Sequence, residues 1–242
     1  MSVRIAMWSG PRNISTAMMR SWGSRADTFV MDEPFYAHYL LDTPYRADHP
    51  GADEITAVHE TDWRKVVTYL TGPIPEGKSI FYQKHMTHHM TEEIDLGWLS
   101  QVSNAFLIRD PREVIASFIK VIPNVQIDQI GLPRQVELFD KVQAITGKTP
   151  PVIDSNDVLR DPRGTLTRLC DALGVPFDEA MLSWEAGQRS TDGVWAKYWY
   201  AAVEKSTEFA PQKQHYEPLP DHLQALAEEC QALYDRMARY RL

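Results

Sequence analysis

Val3-Arg-Ile-Ala-Met-Trp8, running on into Ser9-Gly-Pro-Arg-Asn-Ile-Ser-Thr16, is the stretch whose reading decides the fold. Residues 3–8 are a short apolar run with a single charge, read as a buried strand. Gly10 and Pro11 stop it, and residues 14–23, with Met18, Met19 and Trp22 at helical spacing, resume as a helix. A strand that turns tightly into a helix leaves the N–H groups of the first helical turn without partners, above the end of the strand. Arg12 adds a permanent cation there, and Ser15 and Thr16 add hydroxyls. The turn reads as a phosphate cradle, or as an ordinary strand-to-helix connection capped by Asn13 or Ser9. Against the loop Gly-x-x-x-x-Gly-Lys-Ser/Thr of nucleotide hydrolases, Ser9, Ile14 and Ser15 stand where Gly, Gly and Lys belong, which disfavours an ATPase or GTPase.

The opening unit repeats along the chain. Residues 28–31, 79–83, 105–108 and 151–153 read as further strands, with helical patterns between or after most of them. That alternation predicts a three-layer α/β architecture, a parallel sheet with helices on both faces. Asp110-Pro111-Arg112-Glu113 predicts a helix start, with Asp at the N-cap, Pro at the first helical position and Glu completing a capping box. Asp161-Pro162 repeats the device, and Gly174 ends that second helix. Leu219, Leu223, Leu226, Cys230, Leu233 and Met237 step by four and three, a long amphipathic helix expected to pack on the core rather than form a dimer seam. Residues 42–60 and 122–133 lack a period, as loops that cover a ligand do.

The 242 residues are 43% hydrophobic and 24% charged, the balance of one folded domain over residues 1–242. A net charge of −8 excludes general binding to nucleic acid or an anionic membrane. The charge is uneven: residues 1–26 hold Arg4, Arg12, Arg20 and Arg25 and no acid, leaving −12 on the remainder and room for a local anion site. Cys170 and Cys230 make no disulfide framework and sit among Leu and Ala, as reduced core thiols do. No apolar run approaches the ~18 residues of a membrane helix, so a soluble cytoplasmic protein is expected.

A second arginine follows the strand at 105–108. Asn104-Ala-Phe-Leu-Ile-Arg109-Asp-Pro-Arg-Glu-Val-Ile-Ala-Ser117 is a strand ending in Arg109, then a capped helix carrying Ser117 eight residues later. Here the chain resembles the sulfotransferases that use 3′-phosphoadenosine 5′-phosphosulfate (PAPS). In that family a loop of the type Pro-Lys/Arg-Ser-Gly-Thr/Ser-Thr binds the 5′-phosphosulfate, matched by Pro11, Arg12, Ser15 and Thr16, with Asn13 and Ile14 in place of Ser and Gly. A later Arg-Asp-Pro-Arg-x-x-x-x-Ser segment binds the 3′-phosphate, matched by Arg109 and Ser117. The resemblance implies a fold akin to nucleotide kinases, a modified P-loop and no metal. Residues 155–177 look like a further family segment, with Ser155 in place of its Tyr. Gly193 and Lys197 echo a late Gly-x-x-x-Lys element that closes over the 3′-phosphate.

The pairing makes physical sense without the family name. A donor with phosphate at both ends of a nucleoside needs two anion sites, and a parallel sheet presents both at the carboxyl edge of its strands. Sulfonyl transfer to an alcohol also needs a base. Glu33, in Asp32-Glu33-Pro34, is one candidate at the end of the second strand, and some carbohydrate sulfotransferases resemble this segment and use such a Glu. Asp32 would point to the opposite side if the strand persists. His85, in Lys84-His85-Met86, is the other candidate, through likeness to the Lys-x-His region of cytosolic sulfotransferases. Lys84 would act electrostatically on the transferring group or lie along the strand end. His88 and His89 raise a zinc reading, but no Cys or carboxylate pattern supports one and no metal is expected. The expected acceptor is a small molecule or carbohydrate, and a homodimer is compatible with the sequence. The rival readings are a kinase-like phosphotransferase and a noncatalytic nucleotide-binding protein on the same fold.

Overall fold

A computed structural model describes residues 2–210 and 218–242 of the chain. Five strands, β1 (Val3–Ser9), β2 (Thr28–Asp32), β3 (Ile80–Met86), β4 (Ser103–Ile108) and β5 (Val152–Asp154), form one wholly parallel sheet in the order β2-β3-β1-β4-β5. Parallel neighbours need crossovers, which the helices supply. These are α1 (Ser15–Gly23), α2 (Tyr36–Asp42), α3 (Ala52–Val58), α4 (Trp63–Thr71), α5 (Pro111–Phe118), α6 (Ile127–Ile130), α7 (Leu132–Thr146), α8 (Ser155–Arg160), α9 (Pro162–Leu173), α10 (Ala196–Trp199) and α11 (Gln224–Ala238).

Side chains alternate across the strands, so each strand feeds two cores. Ile5 and Met7 of β1, Ile80 and Tyr82 of β3, and Ala105 and Leu107 of β4 pack with α1, α8 and α9. Ala6 and Trp8, Phe81, and Phe106 and Ile108 pack on the other face with α4, α7 and Met237 of α11. The three-layer architecture expected from the alternation is the one observed. Cys170 and Cys230 are free and buried, and the apolar stripe of α11 covers α5 and the start of α7.

The predicted Asp caps form, but Glu113, expected to complete a capping box at Asp110, pairs with Arg109 at 2.7 Å instead. Asp110 accepts the Arg112 N–H at 2.8 Å with Pro111 at the first helical position, Asp161 accepts the Gly164 N–H at 2.9 Å, and Gly174 closes α9 in the left-handed region. The two stretches without a period are not plain loops. The first holds a 3-10 turn at Pro44–Asp48 and α3, the second holds α6. Helices of four to seven residues are too short to show a period, which is why the pattern hid them. Among the described residues no helix is long and apolar enough to cross a membrane.

The arginines of residues 1–26 are divided among separate tasks. Arg4 donates to the Gly72 carbonyl, Arg25 pairs with Asp27, and Arg20 makes a two-pronged pair with Asp192 at 2.7 and 2.6 Å. Only Arg12 of the four lines the large cavity at the sheet edge. Arg20 and Asp192 have 3% and 4% exposed side chains, so removing one leaves a buried charge without its partner. Asp192→Ala is expected to lower the unfolding free energy by about 3–5 kcal/mol, read from urea denaturation.

Candidate active site

The carboxyl ends of the strands open into a cavity of about 760 Å³. It is lined by the loop Pro11–Thr16, by Glu33 and Tyr36 after β2, by Lys84, Met86, His88 and His89 at the end of β3, and by Arg109 and Ser117 after β4. Ligands of open α/β sheets bind at this edge. All six expected loop residues, Pro11, Arg12, Asn13, Ile14, Ser15 and Thr16, therefore share one cavity with Arg109, Ser117 and Glu33.

The loop is held by its neighbours. Asn13 Oδ1 accepts the Ile14 N–H at 2.8 Å while its Nδ2 donates to the Leu107 carbonyl at 3.2 Å, tying the turn to β4. Arg12 has φ +54°, a left-handed backbone uncommon for a residue with a side chain. Arg109 Nη1 donates to the Arg12 carbonyl at 2.8 Å and so supports that conformation. Arg12 Nε donates to Ser117 Oγ at 3.1 Å, and Arg109 Nε pairs with Glu113 at 2.7 Å. Burial, then the Arg109 guanidinium, depresses the Arg12 pKa below the ordinary arginine value. A guanidinium still stays charged, so two cations share one wall, the second of them carrying the Glu113 carboxylate. Gly10 is required for this packing, because a Cβ there would lie 2.7 Å from the Ile130 carbonyl oxygen.

The second half of the site surrounds Lys84. Register places Asp32 of β2 beside Lys84 of β3, on the same side of the sheet. The strand does not persist beyond Asp32: Glu33 takes φ +38°, its N–H donates to the Lys84 carbonyl at 2.9 Å, and its carboxylate turns toward the same ammonium. Asp32 and Glu33 thus converge instead of pointing apart, and Glu33 precedes a turn rather than capping α2, whose cap position is Phe35. Lys84 Nζ is 2.8 Å from Asp32 Oδ1, 2.5 Å from Glu33 Oε1 and 2.6 Å from the Tyr200 hydroxyl. Burial alone would push the ammonium pKa down, but Asp32 and Glu33 outweigh it and hold it above the ordinary lysine value. For Glu33 burial prevails over Lys84, and the neighbouring Asp32 adds to it, so its carboxyl lies above the usual carboxylate range.

His85 is not part of this arrangement. One residue along β3 reverses the face, so Lys84 and Met86 border the cavity while His85 stacks on Trp8 at 4.3 Å, with Phe35 and Trp98 around it. Burial holds its pKa at about 3, and its Nε2 lies 3.3 Å from Gln83 Oε1. Gly193 and Lys197 are also placed elsewhere. The Gly193 N–H donates to Asp32 Oδ2 at 3.1 Å, a Cβ at Gly193 would meet the Trp195 ring at 2.2 Å, and Lys197 pairs with Glu54 at the surface. Neither lines the cavity beside Arg109. Tyr36 and His49 line it as well, His49 from the stretch 42–60 expected to cover a ligand; Tyr200 also lines it and has no counterpart among the sequence candidates. His88 and His89 join no metal-binding group among the described residues.

Four buried imidazoles, those of His49, His85, His88 and His89, make the fold sensitive to acid. His85 and His88 are held at about 3 and His49 at about 4, each chiefly by burial, against about 6.5 when unfolded. Between those values the unfolded chain binds protons that the folded chain refuses, so stability falls as pH drops below about 6.5. At pH 5 His85 alone is expected to cost roughly 2 kcal/mol relative to neutrality. Urea unfolding at both pH values measures the loss.

A sulfotransferase domain matches residues 3–239 of the chain. Two Arabidopsis thaliana proteins, branched-chain-amino-acid aminotransferase-like protein 2 and protein 1, are each 36% identical to it over 96% of its length. The chain spans only 40% and 41% of the length of those relatives. The sulfotransferase from Alicyclobacillus acidocaldarius superposes with a TM-score of 0.56 at 14% identity, covering 100% of this chain and 98% of that one. The sulfotransferase domain of the Synechococcus PCC 7002 olefin synthase gives 0.54 at 17% identity, covering 100% and 96%. At such identities the likeness shows the fold, while the match over residues 3–239 shows the family: the chain belongs to the sulfotransferases.

Proposed function

We propose that the protein transfers a sulfonyl group from PAPS to a hydroxyl of a small molecule or sugar. The observation that carries this reading is the joint placement of Arg12, Arg109 and Ser117 on one cavity wall, with Glu33 and Lys84 on another part of the same cavity. Sheet order separates the two groups. The arginines follow β1 and β4, whereas Glu33 and Lys84 belong to β2 and β3, on the other side of β1. The donor is read over β1 and β4, the acceptor over β2 and β3.

In this assignment Arg12 and the first-turn amides of α1, with Ser15 and Thr16, face the charge that grows on the leaving 5′-phosphate. Arg109 and Ser117 hold the 3′-phosphate. Pro11, Asn13 and Ile14 shape the loop. Glu33 takes the acceptor proton as the new O–S bond forms and the S–O bond to phosphate breaks. Its raised pKa makes it a stronger base than an ordinary carboxylate. His85 has no part, since its imidazole faces away from the cavity. As in phosphoryl transfer, positioning and fixed cations supply most of the acceleration. No residue role here requires a metal.

Isothermal titration tests the donor. Adenosine 3′,5′-bisphosphate is expected to bind with the same affinity with and without magnesium, and Arg109→Ala to weaken it by roughly 10–100-fold, the worth of a bond to a charged group. Binding of magnesium-ATP with no binding of the bisphosphate would instead favour phosphoryl transfer. Glu33→Gln is expected to lower turnover by about 10²–10⁴-fold while leaving bisphosphate affinity intact. In the wild type kcat/KM should rise with pH through an ionisation above the ordinary glutamate range, because the free carboxylate is the active form.

A further inference from the structure

The Lys84 ammonium has three N–H bonds, and the protein uses all of them: Asp32 Oδ1 at 2.8 Å, Glu33 Oε1 at 2.5 Å and the Tyr200 oxygen at 2.6 Å. In this state Lys84 lines the cavity without a donor to offer a ligand. The Tyr200 hydroxyl is equally committed. Its proton goes chiefly to Asp32, 2.7 Å from Oδ2 and 2.9 Å from Oδ1, with Glu33 Oε1 a longer acceptor at 3.4 Å, and its lone pairs receive Lys84 and the Trp195 indole N–H at 3.1 Å. Asp32 accepts a further bond from the Gly193 N–H at 3.1 Å.

The three bonds of Lys84 are therefore unequal. Those to Asp32 and Tyr200 end on groups locked from behind, Asp32 with 1% of its side chain exposed. The bond to Glu33 ends on a side chain 10% exposed at the cavity. We propose that Tyr200 is a positioning residue: together with Asp32 it anchors Lys84, so that only the N–H now on Glu33 is exchangeable. When the donor binds, Lys84 turns that N–H to a sulfonyl oxygen, and the same movement frees the Glu33 carboxylate for the acceptor proton. The transfer then balances. The acceptor oxygen bonds to sulfur, its proton passes to Glu33, and the electron pair of the broken S–O bond leaves on the 5′-phosphate. This role rests on the sulfotransfer reading, whereas the anchoring geometry does not.

The groups facing Glu33 set the signs of the test. They are Lys84, Asp32, Tyr200, His89 with Nδ1 at 3.9 Å from Oε2, and Tyr36, whose ring stacks on His89 at 4.5 Å. Lys84 and the Tyr200 hydroxyl lower the Glu33 pKa, and the Asp32 charge raises it. Tyr200→Phe removes a group that holds Glu33 down, so the acidic limb of kcat/KM should move to higher pH. Asp32→Asn removes a like charge and should move it to lower pH. Both variants are expected to lose kcat by roughly tenfold or more, with bisphosphate Kd within about twofold of wild type, because the anchor and not the donor grip is altered.

The ionisation of Glu33 is also read directly, by carbon NMR of the ¹³C-labelled side chain in the ligand-free protein, assigned with Glu33→Gln. Opposite shifts in Tyr200→Phe and Asp32→Asn, each with reduced kcat, are the expected result. A folded Tyr200→Phe with unchanged kcat and unchanged Glu33 titration overturns the proposal. Should Tyr200→Phe fail to fold, Asp32→Asn carries the test, and an unmoved or raised Glu33 titration there overturns it. Opposite titration shifts in a protein that sulfates no acceptor would preserve the anchor and remove the sulfotransfer reading. Sulfation with no titration shift would do the reverse.

Discussion

A lysine ammonium with only 1% of its side chain exposed is the constraint on which the cavity end of the sheet depends. An unpaired charge taken out of water is far more costly than any single contact can repay, so each of its donors has to meet an oxygen. That demand reaches into three parts of the chain. It fixes the ends of β2 and β3 through Asp32 and Glu33, and it draws in the segment that carries Gly193, Trp195 and Tyr200. The last segment is remote in sequence and makes no strand. Besides its apolar packing and the Arg20–Asp192 pair, the Tyr200 hydroxyl and the Gly193 N–H tie it to Asp32.

Two carboxylates share one ammonium, which leaves the cluster one negative charge in excess when both are ionised. Glu33 absorbs the imbalance, because it is the member whose pKa is raised and the one nearest the cavity. Its backbone bears a cost as well. Glu33 and Arg12 both adopt positive φ, at +38° and +54°, a conformation that persists in a residue with a side chain only where surrounding contacts impose it. For Arg12 the contact is Arg109 on its carbonyl, and for Glu33 it is Lys84 at both the backbone and the side chain. Of the three non-glycine residues with positive φ, these two face each other's territory across the strand ends, and the third, Glu76, lies in the turn before β3. The positive N-terminal end of the α1 macrodipole borders the same cavity and acts in the same sense as the arginines, with no acid in its first turn to offset it.

The architecture was legible in the sequence because it rests on local signals. Alternating strands and helices, Asp-Pro helix starts and a glycine stop are each written within a few residues, and the observed caps use them. The arginine wall of the cavity was legible for a related reason: Arg12 and Arg109 sit directly after strands, so finding the strands finds the residues. Tyr200 was not legible, because nothing within its own segment records that β2 ends at Asp32 or that Lys84 lies alongside it. The convergence of Asp32 and Glu33 was hidden by the assumption of continuing strand alternation, which the left-handed turn at Glu33 breaks. Gly193 and Lys197 show the opposite error, a correct spacing whose two residues serve other partners, the indole of Trp195 and the carboxylate of Glu54.

The placement of His85 follows from strand period alone, and it explains how a motif can mislead. In a strand, Lys-x-His puts both side chains on one face, whereas Lys84-His85 puts them on opposite faces. The deletion of one intervening residue thus moves the imidazole from the cavity to the far core, where register pairs it with Trp8 and the two rings stack. Met86 takes the vacated position at the cavity and carries no titratable group. The proposed transfer must then draw its base from another strand, and the neighbour of β3 on that side is β2, which ends in Asp32 and Glu33. Of these, Asp32 is consumed by Lys84, Tyr200 and the Gly193 N–H, leaving Glu33 as the carboxylate that borders open space.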